Sequence, residues 1–171
     1  DDSCPPVAEG PVVASGVVRS LPERIRGGQG IFDSTGGLHA AGLFDRDGAL
    51  RAVFEDVGRH NAVDKVIGAA QLAQVPLAAC VLLVSGRAGF ELVQKCVVAG
   101  IPAMAAVGAP SSLSVQLARA SGLLLIGWIL VLRENQAVTD AIWSNRWLLA
   151  GGIISLALIM CVLVMFSVSL V

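Results

Sequence analysis

The side chains best able to do chemistry in this chain lie in one run, Glu55-Asp56-Val57-Gly58-Arg59-His60-Asn61-Ala62-Val63-Asp64-Lys65. Carboxylates, a guanidinium, an imidazole and an ammonium stand within eleven positions, while most of the surrounding chain is apolar. Polar groups this dense must meet water or line a site, because burying them unpaired costs several kcal/mol, about 2–7 for a neutral group. Gly58 permits a turn that a side chain would hinder. Asn61 suits a helix N-cap, and Asp64 near the start of that helix suits its positive end. The run therefore predicts a strand ending at Glu55-Asp56, a tight loop over Gly58-Arg59-His60, and a helix starting at Asn61.

Two other loops offer complementary chemistry. Ser85-Gly86-Arg87 places a guanidinium and free backbone N–H groups ahead of a helix. Gly108-Ala109-Pro110-Ser111-Ser112 places two hydroxyls ahead of another. Helix N-termini attract phosphate groups through unsatisfied N–H groups and the helix dipole. Arg59, Arg87 and Lys65 add charge-assisted hydrogen bonds. The three loops together predict a pocket for a phosphate-rich ligand such as a nucleotide; ordinary helix caps and surface ion pairs are the structural alternative. His60 is the stronger histidine candidate, whereas His39 reads as a sheet-face residue. Glu91 and Lys95 fit a surface pair four apart on one helix as well as they fit a site.

The elements that must carry these loops follow from the apolar pattern. Pro5, Pro6 and Pro11 make residues 1–19 an extended linker. Ser20-Leu21-Pro22-Glu23 is a capping-box start for a helix reaching about Phe32. Asp45-Arg46-Asp47-Gly48 between Gly37–Phe44 and Ala49–Phe54 is a hairpin signal. The helix from Asn61 extends to Leu72, with Val63, Val66, Ile67 and Ala70 on one face. Buried strands at 80–84, 103–107 and 123–128 then alternate with helices at 88–99 and from Ser111 or Ser112 to Gly122. This is an α/β layer fold with a mixed sheet, whose ligands would bind beyond the carboxyl ends of the strands.

Composition bounds the rest. Net charge is −1, which does not suggest a nucleic-acid binder. The hydrophobic fraction is 55% with a mean hydropathy of +0.75. The excess lies in Trp147 to Val171, which carries no charged residue and exceeds the roughly 20 apolar residues of a membrane-spanning helix. The expected organisation is a linker over 1–19, an α/β core over 20–133, and a polar connector with a hydrophobic, possible membrane-inserting helix over 134–171. Cys4, Cys80, Cys96 and Cys161 show neither zinc-ligand nor disulfide spacing, and no metal site is expected. The chain starts at Asp1 without a signal-peptide pattern, and an incomplete N-terminus is expected. Walker A, G-x-S-x-G, H-E-x-x-H and the zinc-deaminase motifs are absent.

The run from Glu55 to Lys65 resembles the hallmark of the FdhD/NarQ family, the formate dehydrogenase accessory sulfurtransferases. Thr35-Gly36-Gly37-Leu38-His39-Ala40-Ala41, Ser85-Gly86-Arg87-Ala88-Gly89-Phe90-Glu91-Leu92 and Ala109-Pro110-Ser111-Ser112-Leu113 resemble further family blocks in the same order. The resemblance spans about Leu21 to Trp128. It implies a cytidine-deaminase-like α/β/α fold without the zinc, a homodimer, and a cytoplasmic sulfur carrier. The carrier would take sulfur from a cysteine desulfurase and pass it to the molybdenum bis-molybdopterin guanine dinucleotide cofactor destined for formate dehydrogenase. The cofactor-binding residues so implied are Arg59, His60, Asn61, Lys65, Gly86, Arg87, Ser111, Ser112, Trp128 and Arg133. The family's persulfide C-x-x-C is absent from this chain, since Cys4 is followed by Pro5-Pro6-Val7. That loop is expected upstream of Asp1, with Cys4 a weak substitute, so enzymatic sulfur transfer is not assigned to a residue. Arg133 is in register with one arginine of the family's last segment, and Leu130 replaces the other. The alternatives are an inactive, membrane-anchored binding module and a nucleotide hydrolase on the same scaffold.

Overall fold

Helices α1 (Ser15–Arg26) and α2 (Gly30–Thr35) precede the sheet in the computed structural model, which describes residues 6–127. The hairpin of β1 (His39–Asp45) and β2 (Leu50–Asp56) forms where the Asp-Gly signal predicts it. Asp45 fixes the tip: its carboxylate accepts the N–H groups of Asp47 and Ala49 and pairs with Arg51. Gly48 supplies the left-handed residue of the turn, at φ +78°. Next come α3 (Arg59–Leu72), β3 (Cys80–Val84), α4 (Phe90–Val98), β4 (Ala103–Ala106), α5 (Ser112–Ser121) and β5 (Leu124–Gly127).

The strand order is β2-β1-β3-β4-β5. β1 is antiparallel to both neighbours, whereas β3, β4 and β5 run parallel. β2 is therefore parallel to β3, and the steps β2 to β3, β3 to β4 and β4 to β5 all move across the sheet in one direction. Right-handed crossovers then place all three connecting helices on one face. Val63 and Val66 of α3, Leu92 and Cys96 of α4, and Ala118 of α5 accordingly share a core with Leu43, Leu82 and Met104. The opposite face is left to α1, whose Leu21 and Ile25 pack on Phe44, Leu83 and Ala105. The result is a three-layer α/β/α arrangement with a five-stranded mixed sheet. The carboxyl ends of β2, β3, β4 and β5, together with the amino end of β1, lie along one edge. All three chemistry-bearing loops and His39 belong to that edge.

The structure corrects several boundaries. α1 begins at Ser15, so the extended stretch gives way to helix before residue 19. Ser20 is not a cap; its hydroxyl donates to the Val17 carbonyl inside the helix. The cause is the stripe Val17-Leu21-Ile25, which runs past Pro22 and buries against the sheet. The helix also stops at Arg26 rather than near Phe32. There Gly28 lies so close to β2 that a Cβ would stand 2.5 Å from Val53 Cγ1. The chain restarts as α2, whose first turn gives the Ile31 and Phe32 N–H groups to the Glu55 carboxylate. Asn61 is likewise not an N-cap: α3 starts at Arg59, with Gly58 in the cap position. Among the described residues no helix is long and apolar enough to cross a membrane. Trp128, Arg133, Cys4, the 133/134 boundary and the expected span at 147–171 lie outside the described residues.

Candidate functional site

Asp56, the last residue of β2, organises the first loop. Its Oδ1 accepts the Gly58 N–H at 2.9 Å and the Asn61 side-chain amide at 3.1 Å, and its Oδ2 pairs with Lys65. Lys65, then the Gly58 N–H and Asn61, hold the Asp56 carboxyl down from its ordinary 3.8 to about 2. Lys65 also reaches the Glu55 carbonyl at 3.3 Å. Asn61 and Lys65 thus brace the loop from behind, with the residues on either side of Asp56 free to turn toward the sheet edge.

Arg59 and His60 occupy the first turn of α3. Arg59 joins Arg87, Ala88, Gly89, Phe90, Glu91, Ala109, Pro110 and Ser111 around an open cleft of about 400 Å³. Two buried nitrogens here, Arg59 Nε and His60 Nε2, have no hydrogen-bond partner among the described residues. His60 Nε2 lies 3.6 Å from Glu91 Oε2, an ion-pair separation rather than a hydrogen bond. Glu91's own main-chain N–H, then His60 and Arg59, keep its carboxyl below the usual range. The expected Glu91–Lys95 pair does not form in this structure. Glu91 faces His60, while Lys95 crosses to Asp64 of α3. The periodicity of α4 made those two residues neighbours, but their partners come from another helix.

The remaining two loops are locked together by backbone. The Gly108 N–H donates to the Gly86 carbonyl at 3.0 Å, and the Ser111 N–H donates to the Ala88 carbonyl at 3.1 Å. A Cβ on Gly108 would stand 3.0 Å from Arg87 Cα, so only glycine allows this approach. Ser111 is the cap of α5, its hydroxyl accepting the Ser114 N–H at 3.2 Å. Ser112 begins the helix and does not line the cleft. Gly86 sits at the junction, where a Cβ would lie 3.4 Å from His39 Nδ1 and 3.9 Å from Arg59 Cδ.

The structure thus brings Arg59, Arg87 and Ser111 to one cleft, with His60 at its side through Glu91 and Gly86 beneath it. His39, read from the sequence as a sheet-face residue, lines a second cavity across the Gly86 junction. Gln29, which no sequence signal singled out, lies in that cavity's wall, 5% exposed. Cys80 and Cys96 are buried free thiols. Burial raises both, Cys96 to about 12, so neither is an accessible nucleophile. Among the described residues no group of three or more His, Cys, Asp or Glu side chains is placed to hold a metal ion.

Residues 3–137 match the FdhD/NarQ family. The sulfur carrier protein FdhD of Mycolicibacterium paratuberculosis is 58% identical over 125 residues, 72% of this chain and 46% of that protein. The protein of the same name from Streptomyces coelicolor is 58% identical over 127 residues, 72% of this chain and 45% of the relative. The chain therefore spans about half the length of the curated relatives it matches. A solved structure of a proposed formate dehydrogenase accessory protein from Desulfotalea psychrophila superposes with a TM-score of 0.68 at 31% identity, covering 74% of this chain and 54% of that one. A Thermotoga maritima diaminohydroxyphosphoribosylaminopyrimidine deaminase/5-amino-6-(5-phosphoribosylamino)uracil reductase aligns at 17% identity with a TM-score of 0.53, over 77% of this chain and 42% of that one. At that identity the likeness shows the fold alone, which is cytidine-deaminase-like.

Proposed function

The chain belongs to the FdhD/NarQ family, and from that premise we propose that it is a sulfur carrier for formate dehydrogenase maturation whose core binds the molybdenum bis-molybdopterin guanine dinucleotide cofactor. The observation that carries the reading is the pair of buried, unpartnered nitrogens, Arg59 Nε and His60 Nε2, beside a cleft that also holds Arg87 and Ser111. A buried donor without an acceptor is costly, about 1–3 kcal/mol. An anionic ligand in the cleft would relieve that cost. The donor set fits the phosphate groups of a dinucleotide, and α4 begins at the same cleft with its N–H groups unsatisfied. Glu91 is the one opposing charge, and Arg59 and His60 flank it.

In this reading Arg59, Arg87 and Ser111 contact the cofactor, and Asn61 and Lys65 act only by holding the Asp56 loop. His60 positions Glu91. The cofactor is cargo: sulfur reaches it from a cysteine desulfurase by way of a persulfide, and the sulfurated cofactor passes to formate dehydrogenase. Neither Cys80 nor Cys96 carries that persulfide. A cytoplasmic homodimer belongs to the same proposal. The test is calorimetric titration of the full chain with GDP as a fragment of the cofactor, with Arg87→Ala as the comparison. Saturable binding weakened roughly tenfold or more is expected, the loss of a charge-assisted contact. A folded protein that ignores GDP, or an Arg87→Ala protein that binds it equally well, would overturn the reading.

A further inference from the structure

A cavity of about 480 Å³ opens on the α1 side of the sheet edge, across the Ser85–Arg87 loop from the Arg59 cleft. Its walls are largely apolar, including Pro22, Ile25, Phe32 and Val107. Gln29 stands among them at 5% exposure. The main chain of Gln29 is fully used: its N–H donates to the Arg26 carbonyl, and its carbonyl accepts the Asp33 N–H. The side-chain amide is therefore its free polar group, and it has no hydrogen-bond partner among the described residues. A buried amide left unpaired is destabilising. The site is nonetheless built firmly, because Glu55 accepts the Ile31 and Phe32 N–H groups and pins α2 as one wall. The Ser85 hydroxyl accepts the Ala40 N–H at 2.9 Å, fixing the opposite wall.

We propose that this cavity takes the lactam edge of a planar heterocycle, with Gln29 as the residue that reads it. A primary amide presents one donor and one acceptor side by side, and a ring N–H next to a ring carbonyl is its complement. An apolar slot with a few convergent polar groups is the usual form of such a site. The ring would lie beside Phe32, with His39 at the Gly86 junction. Gly86 has no side chain to block the path from this cavity to the Arg59 cleft. The inference deepens the cofactor reading and rests on it for the phosphate end of the ligand. Lactam chemistry is common to a guanine base and to a pterin, and the experiment separates the two.

Binding of GDP, ADP, inorganic pyrophosphate and a neutral, phosphate-free pterin to the full chain would be measured by calorimetry, in the wild type and in Gln29→Met. Methionine matches glutamine in length and removes the amide. GDP should bind more tightly than ADP, which lacks the lactam. Gln29→Met should weaken GDP, the pterin, or both roughly ten- to hundredfold, the loss of two neutral hydrogen bonds. Pyrophosphate affinity should not change. Sensitivity confined to GDP identifies a purine occupant, and sensitivity confined to the pterin identifies a pterin. Lactam ligands indifferent to Gln29→Met, with pyrophosphate still bound in an Arg87-dependent way, would overturn this inference and leave the phosphate cleft intact. Pterin binding that depends on Gln29 while GDP and pyrophosphate fail to bind would do the reverse. Should Gln29→Met fail to fold, the Gln29 side-chain amide resonances of the wild type decide: they must shift when the lactam ligand is added, and no shift sinks the proposal.

Discussion

One carboxylate, Asp56, gathers the Gly58 N–H, the Asn61 amide and the Lys65 ammonium, and so sets how Arg59 and His60 leave the sheet edge. Because these partners lower its folded-state pKa to about 2, the ionised form is favoured by folding. The stabilisation is present above the ordinary carboxyl value and is lost as pH falls from about 4 toward 2. Asp56→Asn keeps the size and an acceptor for Gly58 but loses the charge. Urea unfolding should therefore show the variant weaker at neutral pH, with the gap to wild type closing below about pH 4. A gap independent of pH would refute this account. The cysteines make a second case at this scale. Cys96 is buried with its thiol pushed to about 12, and Cys80 is also raised. Mass spectrometry after iodoacetamide at pH 8 should find both unmodified in the native protein and both alkylated in denaturant. Rapid native labelling of either would reopen it as a sulfur-bearing residue.

Between elements, the cleft depends on how the loop after β3 and the loop after β4 are tied. The Ser114 hydroxyl is fully buried and lies 3.0 Å from the Ala88 carbonyl and 2.6 Å from the Ser111 carbonyl. Ser114→Ala should destabilise the protein by about 1 kcal/mol, read from the urea midpoint. Gly108→Ala should act differently. Its Cβ would meet Arg87 backbone, so the Arg87 loop must shift. The expected result is a folded protein whose GDP affinity falls, and an unchanged affinity would count against close loop packing as the basis of the cleft. Such ties explain which parts of the site could be read beforehand. Arg59, Arg87 and Ser111 were legible because each sits at a loop-to-helix boundary that glycine, proline and serine mark locally. Gln29, the Glu55 cap of α2 and the Glu91–His60 pairing were not, because their partners are 24 to 31 residues away or are absent, and no local spacing encodes them. The start of α1 was missed for a related reason. Capping signals at Ser20 and Pro22 are outweighed by burial of Leu21 and Ile25, each worth about 1.5–3 kcal/mol.

At the scale of the whole molecule, the strand order and the common direction of its crossovers decide where stability is concentrated. β3 and β4 are buried along their full lengths, and β1 is buried at all but its terminal residues. β2 forms an edge of the sheet and is exposed or half-buried throughout. Both apolar layers meet on the inner strands: Leu82 and Met104 face the three-helix side, and Leu83 and Ala105 face α1. Opening these strands exposes two cores at once, whereas β2 can detach while leaving both largely packed. Native-state hydrogen exchange should therefore show the slowest amides in β1, β3 and β4, exchanging only by global unfolding, while β2 amides open at lower free energy. The functional consequence is specific. Glu55 and Asp56 end β2, so fraying of that strand would release the α2 wall through Glu55 and the Arg59 loop through Asp56 together. A ligand that spans the Arg59 cleft and the Gln29 cavity should thus slow β2 exchange more than that of β3 or β4. Equal protection of all strands on ligand binding would show that the edge strand does not couple the two compartments.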